Sequence, residues 1–274
     1  MRTWSFAKGH GTMNDFVIIK DRSGMLNPSA DDVRFLCDRR RGVGGDGVLR
    51  AVRANRVPEW DGPGDVWFMD YRNSDGSIAQ TCGNGLRVFA QWLVEEDLAT
   101  GDIIDIGTRA GLQHARLRPD GLIAVTMGTP RWDPAATTVR LGDRQWPGHP
   151  VDVGNPHCVV RLEDAAELAD LDLTGPPIID PQRFPEGANV EFVVRLAPGC
   201  LRMRVCERGV GETMSCGTGV VAVGCDERQR NPAPTYRVEV PGGRLRVEFT
   251  LDGQASLTGP ACVVARGEVT LPNV

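Results

Sequence analysis

Lysine is nearly absent from this 274-residue sequence. Its 31 basic residues are 29 arginines and two lysines, Lys8 and Lys20. Schiff-base chemistry therefore has two candidate nucleophiles, and carboxylate recognition falls to arginine, which forms no imine. An excess of positive charge is missing too. The 36 acidic residues leave a net charge of −5, which argues against a nucleic-acid partner, since such a partner calls for a basic stripe. No run approaches the roughly 18 apolar residues of a membrane-spanning helix, so no membrane association is expected. The segment from Met1 to Gly11 has no apolar h-region and no small-residue cleavage site, so the expected location is the cytoplasm. Low-complexity segments and heptads are absent. No CxxC or HxxxH pair occurs, so no metal is expected.

Eight cysteines are present, at 37, 82, 158, 200, 206, 216, 225 and 262. They are spread along the chain rather than packed into a short disulfide framework. In a reducing compartment each is core filler, metal ligand or reagent. The length suits one large or two medium domains.

Helical spacing and capping signals predict a helix over residues 29–41, with Ser29 as N-cap, two aspartates in the first turn, three arginines in the last and Gly42, Gly44 and Gly45 ending it. A second helix is predicted over 86–96 and a third starting near Cys216. Residues 163–173 read as a short helix. Strands are expected at 16–19, 46–50, 66–71, 103–109, 112–118, 122–127, 136–141, 151–162, 189–195, 201–207, 235–240, 244–250 and 262–266. Asn73 to Gly76 reads as a turn. Many strands with few helices argue an α+β fold.

The chain also repeats itself. Thr81-Cys-Gly-Asn-Gly85 and Ser215-Cys-Gly-Thr-Gly219 share one pattern 134 residues apart, and each leads into an apolar helical stretch. Asn14 to Ile19 resembles Asn155 to Val160, and Gly45 to Val48 loosely matches Gly187 to Val190, at separations of 141 and 142. The ordered set predicts two similar halves that meet near a Pro-Asp-Gly turn at 118–121. We expect domains of residues 1–119 plus 264–274, carrying Cys82, and 120–263, carrying Cys216.

Each half thus sets a cysteine at a helix start. Unpaired N–H groups and the helix dipole favour a thiolate there, and the glycines let backbone approach a ligand. If the halves face each other, a carboxylate held by both helix starts would leave one thiol on each side of its α-carbon. One would remove a proton as the other delivers one, which inverts the centre without metal or cofactor. The other six cysteines are expected to be fillers.

Phe6 to Phe16 (Phe-Ala-Lys-Gly-His-Gly-Thr-Met-Asn-Asp-Phe), Asn73-Ser-Asp-Gly-Ser77, Cys82-Gly-Asn-Gly85, Gly154-Asn-Pro-His157, Gly187-Ala-Asn-Val190 and the segment from Glu207 through Cys216 to Gly219 resemble, in that order, the diaminopimelate epimerase family, in its actinobacterial form. The resemblance implies two pseudo-symmetric domains, each a mixed sheet wrapped around a central helix. It implies a homodimer that interconverts LL- and meso-diaminopimelate, a small diamino dicarboxylate, with no cofactor. Cys82, Cys216, His157 and Glu207 would be catalytic. Asn14, Asn73, Gly83, Asn84, Asn155, Asn189, Glu207, Arg208, Gly217 and Thr218 would bind substrate, with Arg208 on the distal carboxylate. Gly47 stands where many members have glutamine, and Met13 where glycine is common. The nearest rival is a same-fold racemase of proline, hydroxyproline or histidine; a non-catalytic binding module is the third.

Overall fold

The computed structural model describes residues 2–80 and 82–272. Thr81, which opens the first xCGxG pattern, and Asn273 and Val274 of the expected first domain lie outside the described residues. The chain forms two compact units, Met1–Val125 with Gly259–Val274, and Thr126–Thr258.

The first unit begins with β1 (Arg2–Gly11), β2 (Asn14–Asp21), α1 (Ala30–Cys37), β3 (Gly47–Arg53), β4 (Trp67–Asn73) and α2 (Gly83–Glu95). It continues with β5 (Ile103–Thr108), β6 (Gly111–Leu117) and the start of β7 (Ile123–Gly128). Strand β1 pairs antiparallel with β2, which runs parallel to β3. Strand β4 is antiparallel to β3 and parallel to β5, and β6 and β7 follow antiparallel. The alternation of β2 explains the layers. Val17 and Ile19 pack with Val33, Leu36 and Cys37 of α1 on one face. Phe16 lies on the other, 3.6 Å from a Cβ built on Gly85 in α2. Helix α2 is buried from Gly83 to Ala90, as an apolar helix wrapped by a sheet must be.

The second unit comprises β8 (Arg131–Trp132), β9 (Thr137–Leu141), β10 (Arg144–Asp152), β11 (Pro156–Arg161), α3 (Ala165–Ala169), β12 (Ile178–Ile179), β13 (Asn189–Ala197), β14 (Cys200–Glu207) and β15 (Gly211–Thr213). Helix α4 (Gly217–Arg230), β16 (Thr235–Val240), β17 (Gly243–Phe249) and β18 (Ala255–Gly259) complete it, and β19 (Cys262–Leu271) returns to pair with β1 of the first unit.

Each pairing of the first unit recurs in the second. Strands β10 and β11 are antiparallel, β11 and β13 parallel, β13 and β14 antiparallel, β14 and β16 parallel, and β16, β17 and β18 antiparallel in turn. The registers make the repeat residue-specific. Phe16 faces Gly47 as His157 faces Asn189, and Ile18 faces Leu49 as Val159 faces Glu191. Each half is therefore a mixed sheet around one central helix. Among the described residues no helix is long and apolar enough to cross a membrane.

Several local expectations need correction. The expected strands begin at residue 16, whereas Arg2–Gly11 forms a ten-residue strand of its own. Residues 151–162 are two strands, because Gly154 takes φ +89° and turns the chain so that Val151 faces His157. Helix α1 stops at Cys37. Ser29 caps it as expected, and a reciprocal bond from Asp32 completes a capping box, but the Asp38 carboxylate accepts the N–H groups of Arg40 and Arg41, and these arginines lie in a turn. The helix expected at 163–173 covers only Ala165–Ala169. Of the six cysteines expected as fillers, Cys37, Cys158, Cys206 and Cys225 are buried, whereas Cys200 is half-buried and Cys262 exposed.

Candidate active site

Cys82 and Cys216 occupy the same place in their units. Each is the N-cap of its central helix, with extended backbone, and each sulfur accepts the N–H of the glycine three residues on, Gly85 or Gly219, at 3.4 Å. The helix ladders begin at the next residue, where Leu86 and Val220 donate to the cysteine carbonyls. The N–H groups of Gly83 and Gly217 thus stand outside the ladders, at the positive ends of the helices.

Around Cys82 the polar groups form a chain. Asn14 Oδ1 lies 3.8 Å from the Cys82 sulfur and accepts from Asn84 Nδ2 at 3.1 Å. Asn14 Nδ2 in turn donates to Asp46 Oδ2 at 2.8 Å, so Asp46 fixes the amide. Asn84 Oδ1 accepts from Arg87 NH2 at 2.8 Å. Arg87 is completely buried; its other guanidinium nitrogens donate to the carbonyls of Gly83 and Pro260. Burial pushes its pKa down to about 10, partly offset by the Cys82 sulfur. Asn73 closes the turn at the end of β4: its amide donates to Ser77 Oγ at 3.0 Å, and its backbone pairs with Ser77 and Gly76.

Around Cys216 the groups are ionisable. The Cys216 sulfur lies 3.4 Å from Thr218 Oγ1, which also accepts from Asn155 Nδ2 at 3.5 Å. Asn155 Oδ1 meets His157 Nε2 at 3.1 Å, and His157 Nδ1 meets Glu191 Oε1 at 2.7 Å. Thr213 donates to Glu207 Oε1 at 2.5 Å. Burial raises the Glu207 pKa and Glu191 adds to it, while hydrogen bonds from Thr213 and Cys216 and the His157 ring oppose them. The Cys216 thiol is pushed well up, first by burial, then by the charges of Glu207 and Glu191, against hydrogen bonds from Thr218 and Gly219. Asn189 accepts the Arg208 N–H at 2.9 Å, which fixes the start of the arginine's loop. The Arg208 guanidinium is loosely held. It donates to Glu186 O at 3.3 Å and stands 3.8 Å from that residue's exposed carboxylate.

Within the first unit Cys82, Gly83, Asn84 and Asn14 stand together, with Asn73 in its own turn. Within the second, Cys216, Thr218, Asn155, His157 and Glu207 form one cluster, and Asn189 and Arg208 join each other. Sequence reasoning passed over Asp46, Arg87, Glu191 and Thr213. One had a legible signal: Arg87 is a lone charge inside an apolar helical run.

The diaminopimelate epimerase family model matches residues 6–132 and 150–264. The chain belongs to that family. A protein named diaminopimelate epimerase from Thermobifida fusca (strain YX) is 47% identical over 273 residues, covering 97% of this chain and 98% of that protein. One of the same name from Streptomyces coelicolor is 44% identical over 275 residues, covering 96% and 94%. Among solved structures, a phenazine biosynthesis protein of the PhzF family from Bacillus anthracis superposes with a TM-score of 0.72 at 14% identity, over 99% of this chain and all of that one. A hydroxyproline epimerase from Agrobacterium vitis, with bound trans-4-hydroxy-L-proline, gives 0.68 at 15%, covering 99% and 94%. At such identities these two establish the fold shared with the family and nothing about substrate.

Proposed function

We propose that this protein is a diaminopimelate epimerase, an isomerase that interconverts LL- and meso-2,6-diaminopimelate in lysine and peptidoglycan precursor biosynthesis. The observation that carries the reading is the pair of Cys-Gly-x-Gly helix starts in a chain 47% identical, nearly end to end, to a protein of that name. In this reading Cys82 and Cys216 exchange protons with one α-carbon. Whichever is thiolate takes the α-hydrogen, and the other, as thiol, returns a proton from the opposite side. The N–H groups at Gly83-Asn84 and Gly217-Thr218 hold the carboxylate on which the carbanion's charge spreads, and the helix dipoles stabilise that charge.

Glu207 is set to receive a substrate ammonium, with His157 next to the reacting centre. Asn14, Asn73, Asn155 and Asn189 supply amides for the amino and carboxyl groups. Arg208, with only loose partners of its own, pairs with the distal carboxylate. No cofactor is invoked in these steps. Two similar halves are needed because each supplies one thiol, with the domains divided as the sequence repeat suggests. The protein acts in the cytoplasm as a homodimer, which sedimentation at several concentrations tests.

The deciding experiment follows deuterium from heavy water into the α-position of LL-diaminopimelate, with no cofactor added. Incorporation together with a growing meso fraction is expected. An enzyme that leaves the α-hydrogen untouched, or one still active as Cys82→Ala, would overturn the reading.

A further inference from the structure

The repeat places unlike residues in like positions around the two sulfurs. A Cβ built on Gly85 would stand 3.4 Å from Leu49 and 3.6 Å from Phe16; one on Gly219 would stand 2.7 Å from Glu191 Oε1. Leu49 and Glu191 are equivalent by register, and so are Phe16 and His157. Asn73 ends β4 as Glu207 ends β14. The cysteine of the second half therefore faces two carboxylates, and the residues equivalent to them in the first half are a leucine and an asparagine.

The first half has a charge of its own. Arg87, five residues after Cys82, corresponds at the same 134-residue spacing to Val221, five after Cys216. Its guanidinium is completely buried, and its partners are two carbonyls and the Asn84 amide oxygen; among the described residues no carboxylate pairs with it. A buried cation without a counter-ion is costly, which makes an anion nearby favourable. Helix α2 carries the guanidinium, and at its N-cap the Cys82 sulfur accepts the Gly85 N–H at 3.4 Å, while Arg87 holds the Asn84 side chain next to it. Charged groups on the neighbouring elements cancel one another. Lys8 on β1 pairs with Asp15 on β2, and Arg39, after α1, pairs with Asp15 and Asp46.

We infer that Arg87 is the fixed counter-charge of Cys82, so that the resting enzyme holds Cys82 as the thiolate and Cys216 as the thiol. The proton that Cys82 loses goes to solvent. Arg87 acts through the helix start and Asn84, as a positioning residue rather than one that touches substrate. The inference deepens the two-thiol reading and rests on it.

The test is the pH dependence of iodoacetamide alkylation, read separately at Cys82 and Cys216 by peptide mass spectrometry of the intact protein without substrate. The midpoint of the profile is read rather than the rate, because the two thiols differ in exposure. In the wild-type protein the Cys82 midpoint should lie below that of Cys216. Arg87→Met should raise the Cys82 midpoint by about one pH unit, a tenfold fall in thiolate fraction, and leave that of Cys216 in place. Arg87→Lys should restore most of the shift, and Glu207→Gln should lower the Cys216 midpoint alone. Coincident wild-type midpoints, a lower midpoint at Cys216, or a folded Arg87→Met protein with an unmoved Cys82 would each overturn the inference. Deuterium exchange on the same samples separates the two claims. Distinct thiol midpoints in a protein that exchanges no α-hydrogen would sink the proposed function and leave the Arg87 assignment standing.

Discussion

His157 Nδ1 and Glu191 Oε1 lie 2.7 Å apart, and neither side chain has any exposed surface. The imidazole's other nitrogen meets Asn155 Oδ1, so the ring is held from both sides, and through Asn155 and Thr218 this order extends to Cys216. A carboxylate on one nitrogen and an amide oxygen on the other set the plane and direction of the ring. Removing one member of such a buried pair leaves the other uncompensated. Glu191→Ala should therefore cost about 3–5 kcal/mol of stability by urea denaturation. Glu191→Gln, which keeps an acceptor and the volume, should cost less and still lower kcat. A fully stable, fully active Glu191→Ala protein would show that the pair neither braces the fold nor orders the site.

The glycines of β1 carry a second prediction. A Cβ on Gly9 would stand 2.8 Å from Val88 of α2 and 2.9 Å from the Cys262 carbonyl, and one on Gly11 would stand 3.0 Å from Arg87. The central helix lies directly on these two bare positions. Gly9→Ala should destabilise by about 1–3 kcal/mol through overpacking. Gly175→Ala, where nothing lies within 4 Å, is the control and should be near neutral. Equal melting temperatures for the two variants would remove the argument.

These glycines also mark where the sequence is legible and where it is not. The repeated Cys-Gly-x-Gly starts, the Ser29 cap and the paired asparagines were readable, because capping and turn chemistry act over three or four residues. Strand β1 was hidden because glycines replace apolar side chains at the positions facing α2, so its alternation vanished. Helix α1 was read too long because its arginines suit a helix end by charge, while Asp38, which collects the following N–H groups, gave no periodic sign. Glu191 was missed for a related reason. A single acid in the strand Asn189–Ala197 looks like a solvent-facing residue until the sheet curls around α4 and buries it. Long-range placement of this kind depends on packing that local spacing does not encode.

A third prediction concerns acid stability. Asp70 is buried and faces three guanidinium groups, those of Arg50, Arg72 and Arg109. Burial alone would raise its pKa, but Arg72 and Arg109 outweigh burial and bring it below the ordinary value of 3.8. The folded state thus favours the carboxylate. Its contribution is present in full above the unfolded pKa and fades as pH falls through the lower folded one. Asp70→Asn should be clearly less stable than wild type at pH 7, and the gap should narrow at pH 3. A gap that stays constant or widens on acidification would contradict this assignment.

Arg208 offers the sharpest test of substrate choice. Its backbone is pinned by Asn189, while its guanidinium is half-exposed and, among the described residues, has only the Glu186 carbonyl in hydrogen-bond range. A cation so loosely engaged can turn to a ligand at little cost, and a second carboxylate is what separates diaminopimelate from proline-type substrates. If Arg208 pairs with that carboxylate, Arg208→Met removes a charge-assisted contact worth roughly 1.5–3 kcal/mol, about a 10- to 150-fold loss in kcat/KM. KM should rise, because the contact lies far from the reacting carbon and is made in ground and transition states alike. The folded stability should be unchanged within about 0.5 kcal/mol, since no buried partner is left behind. An unaltered KM for diaminopimelate in a folded Arg208→Met enzyme would remove the distal-carboxylate role and reopen the question of which amino acid this site inverts.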